Sequence, residues 1–169
     1  MALLDQALEN SKNLFSTGEF ITKLGSLVNI VTDSKNALSA YDLTSYYTDG
    51  LSDILADLGI QTEIIDNPIK NAPPFLIGKR IESSELKTIL LYGHGDTVPL
   101  QKDLWNEGIN PRELKIVDEK IYGRGVADNK GQHLINLLAL LSVLKTRKKL
   151  GFNIKIIFEM GEEVGSPGL

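Results

Sequence analysis

No cysteine occurs in the 169 residues, so disulfides, thiolate metal ligands and cysteine nucleophiles are excluded together. Histidine is almost as scarce, with only His94 and His133. Any metal centre must therefore be built from those imidazoles and from carboxylates. Long hydrophobic runs are missing too. The longest, LINLLALLSVL at 134–144, is interrupted by Asn136 and Ser142 and falls short of the roughly 20 apolar residues that cross a bilayer. The first residues, MALLDQALENSK, carry an early aspartate and no basic region ahead of an apolar stretch, which is unlike a secretory signal. A cytoplasmic location with no membrane partner is expected. Positive charge is not in excess either: 18 Lys and Arg against 22 Asp and Glu argue against a nucleic-acid surface. The basic cluster TRKKL at 146–150 follows an apolar helical run and reads as cations at a helix C-terminus.

What is present is the composition of a soluble globular protein, 42% hydrophobic and 24% charged, at a length that one domain fills. Apolar residues recur at spacings of three and four from Leu3 to Val31, with a weak point at Ser16 to Gly18. One or two amphipathic helices are expected there. A further helix is predicted from about Tyr41 to Leu58, ended by Gly59 in a left-handed conformation. The period then changes. QTEIID at 61–66, PFLIGKR at 74–80 and KTILLYG at 87–93 are short, β-rich and bounded by turn formers, so they are strand candidates. One more short strand is predicted at 114–122, an apolar helix from about Lys130 to Lys149, and a strand at 152–160. Strand, long helix, strand points to the α/β class, a mostly parallel or mixed sheet with flanking helices.

Three polar clusters follow predicted strands. LLYGHGDTVPL at 90–100 puts His94 and Asp96 just past a strand, YGRGVADNKGQ at 122–132 puts Asp128 in a glycine-rich loop ahead of a helix, and FEMGEEVGSPG at 158–168 puts Glu162 and Glu163 past the next strand. In open α/β sheets such loops meet at the carboxyl edge, where ligands bind. Imidazole with carboxylates suits zinc and similar divalent ions. Asp96 is placed to take the second ring N–H of His94 and hold its tautomer, and Asp128 is the candidate to bridge two ions. In an extended segment Glu162 and Glu163 would point opposite ways, so that one coordinates and the other takes a different role.

Taken singly, each cluster has a plainer reading. A lone His-x-Asp is more often a polar turn, and His133, inside a helix, reads as a packing residue. GRGVAD lacks the third glycine of a dinucleotide loop, and no Gly-Lys-Ser/Thr phosphate loop exists, which leaves nucleotide binding a weak alternative.

The combination in order is the stronger signal. GHGDTVP, then Trp105 and Pro111, then IYGRGVADNKG and FEMGEEVGSPG resembles the N-terminal half of the catalytic domain of the M20 metallopeptidases, the group of aminoacylases, acetylornithine and succinyl-diaminopimelate deacylases and carnosinase-like dipeptidases. The resemblance covers residues 87–169. It implies that His94 binds one zinc, that Asp96 orients it, that Asp128 bridges both ions, that Glu162 is the general base and that Glu163 binds the second zinc. Co2+ or Mn2+ are the alternative ions. The implied reaction is hydrolysis of an amide or peptide bond in a small substrate, a dipeptide in preference to an N-acyl amino acid, because GEEVGSPG and GRGVADNKG are closer to the carnosinase-like branch. A cis Asp128–Asn129 peptide is also implied.

The family site needs two further ligands, a later acidic residue and a histidine near the C-terminus, and a smaller domain that makes a homodimer. None of these lies within residues 1–169. Residues 1–169 are therefore expected to be an incomplete half of a zinc-peptidase catalytic domain, with low metal occupancy and no activity alone. The reading from a different class is a non-catalytic α/β structural or interaction domain that retains the motifs.

Overall fold

The computed structural model describes residues 2–35 and 40–169. Two N-terminal helices come first, α1 (Leu3–Ser16) and α2 (Glu19–Asn29), broken at the expected weak point, where Gly18 takes a left-handed φ of 79°. The spacing of α2 buries Leu24, Leu27 and Val28. The stripe of α1 is only partly used: Leu14 packs on the core, while Leu4, Leu8 and Phe15 stay exposed.

The helix predicted from Tyr41 to Leu58 is not uniform. It forms as α3 (Ala40–Ser45), a π-helical turn (Tyr46–Leu51) and α4 (Ser52–Asp57). The wide turn places Tyr46, Tyr47 and Leu51 in the core together. Gly50 faces Leu27 and Ile30 so closely that a Cβ would displace them. Gly59, with φ 62°, ends the segment as expected.

The strands are β1 (Gln61–Ile65), β2 (Phe75–Arg80), β3 (Thr88–His94), the short pair β4 (Lys115–Val117) and β5 (Lys120–Tyr122), and β6 (Asn153–Glu159), with α5 (Lys130–Arg147) between the last two. The main sheet is mixed, in the order β1-β2-β6-β3. β1–β2 and β2–β6 are antiparallel, and only β3–β6 is parallel. The expected α/β architecture with a mixed sheet and flanking helices is what forms. The strand predicted at 114–122 is instead a hairpin, because Asp118 and Glu119 both adopt left-handed φ values of 48° and 63° and reverse the chain. Non-glycine residues seldom do this, so composition gave no turn signal.

α5 stops two residues earlier than expected, at Arg147, with Lys148 in a left-handed conformation and the Arg147 guanidinium donating to the Leu150 carbonyl at 3.3 Å. Leu134, Leu137, Leu138 and Leu141 recur at helical spacing and share one core with Ile154, Ile156 and Phe158, alternate residues of β6. Each such side chain contributes roughly 1.5–3 kcal/mol by leaving water. None of the helices of the described residues is long and apolar enough to cross a membrane.

Candidate metal centre

β3 and β6 are parallel neighbours, and their register pairs His94 with Glu159 at the carboxyl ends. The loop after each strand therefore leaves from the same edge. The β3 loop is fixed from the side by residues 32–34: Thr97 N–H donates to the Thr32 carbonyl at 2.9 Å, and the Thr32 hydroxyl donates to the Gly95 carbonyl at 2.6 Å. The third loop reaches the edge because α5 starts against it. Gly131 N–H donates to the Gly125 carbonyl at 3.3 Å, and a Cβ at Gly131 would collide with the Val126 backbone.

Asp96 lies at the centre of this convergence and is fully buried. Its Oδ1 accepts the backbone N–H of Glu162 at 3.2 Å and its Oδ2 that of Glu163 at 3.1 Å, so one carboxylate ties the β6 loop to the β3 loop. His94 Nδ1 lies 3.3 Å from Asp96 Oδ1 and 3.2 Å from the Asp96 carbonyl. Both neighbours only accept, so Nδ1 carries a proton. Nε2 faces outward, 3.0 Å from Asp128 Oδ1 and 3.7 Å from Glu162 Oε2.

All five sequence-predicted residues thus meet at one edge, and the Asp128–Asn129 peptide is cis. Glu162 and Glu163 differ from expectation in one respect. They sit in a tight 3-10 turn (Glu162–Val164) and not in an extended segment, since Asp96 draws both of their N–H groups to one side.

The electrostatics follow from three carboxylates around one imidazole. Burial opposes charge on His94, but Asp96, Asp128 and Glu162 overcome it and hold the pKa at about 9. Glu163 is pushed up from the ordinary carboxylate value by burial and then by Asp128. The donor set fits a divalent ion: an imidazole with its Nδ1 proton anchored and its Nε2 aimed at carboxylates is what such an ion needs. Among the described residues no three His, Asp or Glu side chains yet converge on a metal-sized point.

Several residues here escaped the sequence reading. Lys130 is buried, its ammonium donating to the carbonyls of Leu27 at 3.0 Å and Ile30 at 2.7 Å, with burial lowering its pKa to about 7. A lysine in the first turn of a helix opposes the macrodipole, and that was the signal available. Glu159, also buried, accepts from the Tyr92 hydroxyl at 2.6 Å and the Ser166 hydroxyl at 2.8 Å and so braces the β6 loop. Trp105, which the sequence reading did single out, donates to the Leu100 carbonyl at 2.7 Å and lies under the Arg124 guanidinium at 5.4 Å, a structural use of that motif position.

Residues 90–169 match peptidase family M20/M25/M40. Over 115 residues the chain is 39% identical to the Beta-Ala-His dipeptidase of Mus musculus, an alignment covering 67% of this chain and 23% of that protein. It is 31% identical over 159 residues to the Cys-Gly metallodipeptidase DUG1 of Saccharomyces cerevisiae, covering 86% and 32%. The solved structure of human carnosine dipeptidase 1 superposes on all of this chain with a TM-score of 0.85 at 30% identity, and 37% of that structure is covered. The chain spans less than a third of the length of these two curated relatives. On the matched motifs, the relatives and the fold, the chain belongs to peptidase family M20/M25/M40.

Proposed function

We propose that these residues are the N-terminal part of the catalytic domain of a metal-dependent dipeptidase, in which His94, Asp128 and Glu163 hold divalent ions, Asp96 orients His94 and Glu162 is the general base. The observation that carries this is the placement of His94: its Nδ1 is anchored by Asp96 and its Nε2 faces Asp128 and Glu162 at the carboxyl edge of β3 and β6. The names of the relatives support dipeptides as substrates over N-acyl amino acids.

Bound ions, zinc in preference to Co2+ or Mn2+ and two in a complete site, would polarise the scissile carbonyl and supply positive charge. The chain's own residues do the rest. Asp96 keeps the Nδ1 proton of His94 in place, so that Nε2 presents a lone pair once its proton leaves. Glu162, more exposed than His94 and Asp96 and with its carboxylate 3.7 Å from His94 Nε2, is the group to take a proton from the attacking water and return it to the leaving amine nitrogen. Completing ligands, and a further domain that makes a homodimer, are assigned to the whole protein. The 169 residues alone are expected to hold metal weakly and to be inactive.

The test compares the whole protein with residues 1–169 for dipeptide hydrolysis and bound metal. Turnover restricted to the whole protein and dependent on added metal is the expected result. Metal-independent turnover, or none in the whole protein with any divalent ion, would sink the proposal. The reading from a different class is a non-catalytic domain that keeps the motifs. A whole protein with neither metal nor turnover would support it.

A further inference from the structure

We propose that Tyr46 and His133, both buried, are positioning residues for His94, acting through the half-buried Asn129 as a relay that holds the backbone of the strand end. The role rests on the reading of His94 as a metal ligand. The relay itself follows from one fixed donor. The His94 backbone N–H points at the Asn129 side chain at 3.3 Å, and an N–H can only donate, so the Asn129 atom facing it is Oδ1. That orientation sends Nδ2 to Gln132 Oε1 at 3.1 Å.

Asn129 Oδ1 also lies 3.0 Å from His133 Nδ1, which must then carry the proton. His133 is buried, and burial, followed by the nearby His94 and Lys130 charges, lowers its pKa to about 3, so it is neutral and Nε2 is bare. Tyr46, 2.5 Å from Nε2, therefore donates its hydroxyl. Burial pushes that phenol well above its ordinary pKa, so the proton is there to give. One backbone N–H thus sets an amide orientation, an imidazole tautomer and a hydroxyl direction in sequence.

The same two rings also shape the strand end. A Cβ at Gly93 would press on Phe158 and His133, and one at Gly95 would collide with the Tyr46 ring and Met160. The glycines on either side of His94 are small because the relay residues fill that space. His133 is held between Tyr46, ring centroids 5.8 Å apart, and Phe158, 5.0 Å apart. Tyr46 projects from the π-helical turn, a distortion often found at functional sites.

The experiment uses the metal-free whole protein labelled with 15N, followed by titration with Zn2+ against a chromophoric chelator. In the wild type the His133 ring shifts should report a protonated Nδ1 and a bare Nε2. Tyr46→Phe keeps the ring and removes the donor. It should lower the melting temperature by a few degrees, because His133 Nε2 is left buried without a donor, and should also speed exchange of the His94 amide relative to the α5 amides and weaken Zn2+ binding by about tenfold, the lower end for groups that support ligands. His133→Leu should do the same. His133→Asn, whose amide nitrogen replaces Nδ1, should restore His94 protection. An Nε2-protonated His133, or unchanged His94 exchange in Tyr46→Phe, would overturn the relay. A His94→Ala chain that binds Zn2+ as tightly as wild type would remove the ligand reading and with it the positioning role, while the tautomer and exchange data report separately on the hydrogen bonds.

Discussion

The two ends of the β3–β6 pair use the same kinds of residue for opposite purposes. At the amino end, Asn153 has every polar position filled: Oδ1 accepts from Glu82 N–H at 2.8 Å and Ser83 N–H at 3.2 Å, and Nδ2 donates to the carbonyls of Ser83 at 2.7 Å and Leu86 at 3.0 Å. Beside it Glu82 accepts from Leu150 N–H at 2.8 Å, Gly151 N–H at 2.9 Å and the Arg80 guanidinium at 3.0 Å. At the carboxyl end, Asp128, Glu162 and Glu163 gather around one imidazole with less charge to balance them. A carboxylate surrounded by donors holds the fold together, whereas carboxylates that face one another hold a place for a cation.

The largest effect that can break this contrast is catalytic. In the whole protein, Glu162→Gln should lower kcat for dipeptide hydrolysis by about 10²–10⁴, the range for removing a positioned base, while bound metal measured by mass spectrometry stays the same. A variant that loses metal in step with activity would make Glu162 a ligand and not a base.

Next in size is the amino end. Asn153→Ala should destabilise the chain by roughly 2–4 kcal/mol in urea unfolding, because it strands buried N–H and carbonyl groups that each cost about 1–3 kcal/mol when unpaired. The same chain should keep its metal affinity. A loss below 1 kcal/mol would mean that water replaces Asn153 readily and that this end is less closed than its hydrogen bonds imply.

The contrast was half legible in the sequence. His94, Asp96, Glu162 and Glu163 could be placed at one edge because they lie at or just past the ends of β3 and β6, and strand ends are set by local composition and period, whereas Asp128 follows the separate β4–β5 hairpin and is carried to that edge by the start of α5. What joins them is not local. Asn129 and His133 lie next to a motif, but Tyr46 is 87 positions from His133 and reaches it from a π-helical turn that no periodicity signals. The 3-10 turn at Glu162 follows from Asp96 capturing two N–H groups, 66 and 67 positions away in sequence. Asn153 and Glu82 looked like ordinary polar residues in turns. Their roles depend on which loops the sheet order brings together.

Glu82 carries a pH signature that sharpens the comparison. Burial alone would raise its pKa, but the N–H groups of Leu150 and Gly151 and the Arg80 guanidinium hold it below the ordinary 4.5. A carboxyl depressed in the folded state stabilises at pH values above 4.5, and the contribution is lost as pH falls through the lowered folded value. Glu82→Gln should therefore cost about 1–2 kcal/mol at pH 7, and its unfolding curve should approach wild type in acid. An equal deficit at pH 7 and at pH 3 would assign the effect to shape and not to charge.

The smallest effect has the opposite sign, and it comes from the same substitution at the other end. Glu163 is pushed above 4.5 by burial and then by Asp128, with the His94 imidazolium offsetting part of this. A carboxyl raised in the folded state is a net cost at pH values above its folded pKa, and the cost fades as pH falls to 4.5, where it is protonated more readily folded than unfolded. Glu163→Gln should therefore stabilise the metal-free chain at pH 7 by about 0.5 kcal/mol, a small figure because water screens the site. The gain should vanish in acid. Adding Zn2+ should reverse the order, since the wild type keeps a carboxylate for the ion and the glutamine variant does not. Thermal unfolding of both chains at pH 7 and pH 4, with and without Zn2+, reads all four conditions. If Glu163→Gln destabilises the metal-free chain at pH 7 as Glu82→Gln does, the two ends are alike and the carboxyl edge carries no unbalanced charge for a metal to relieve.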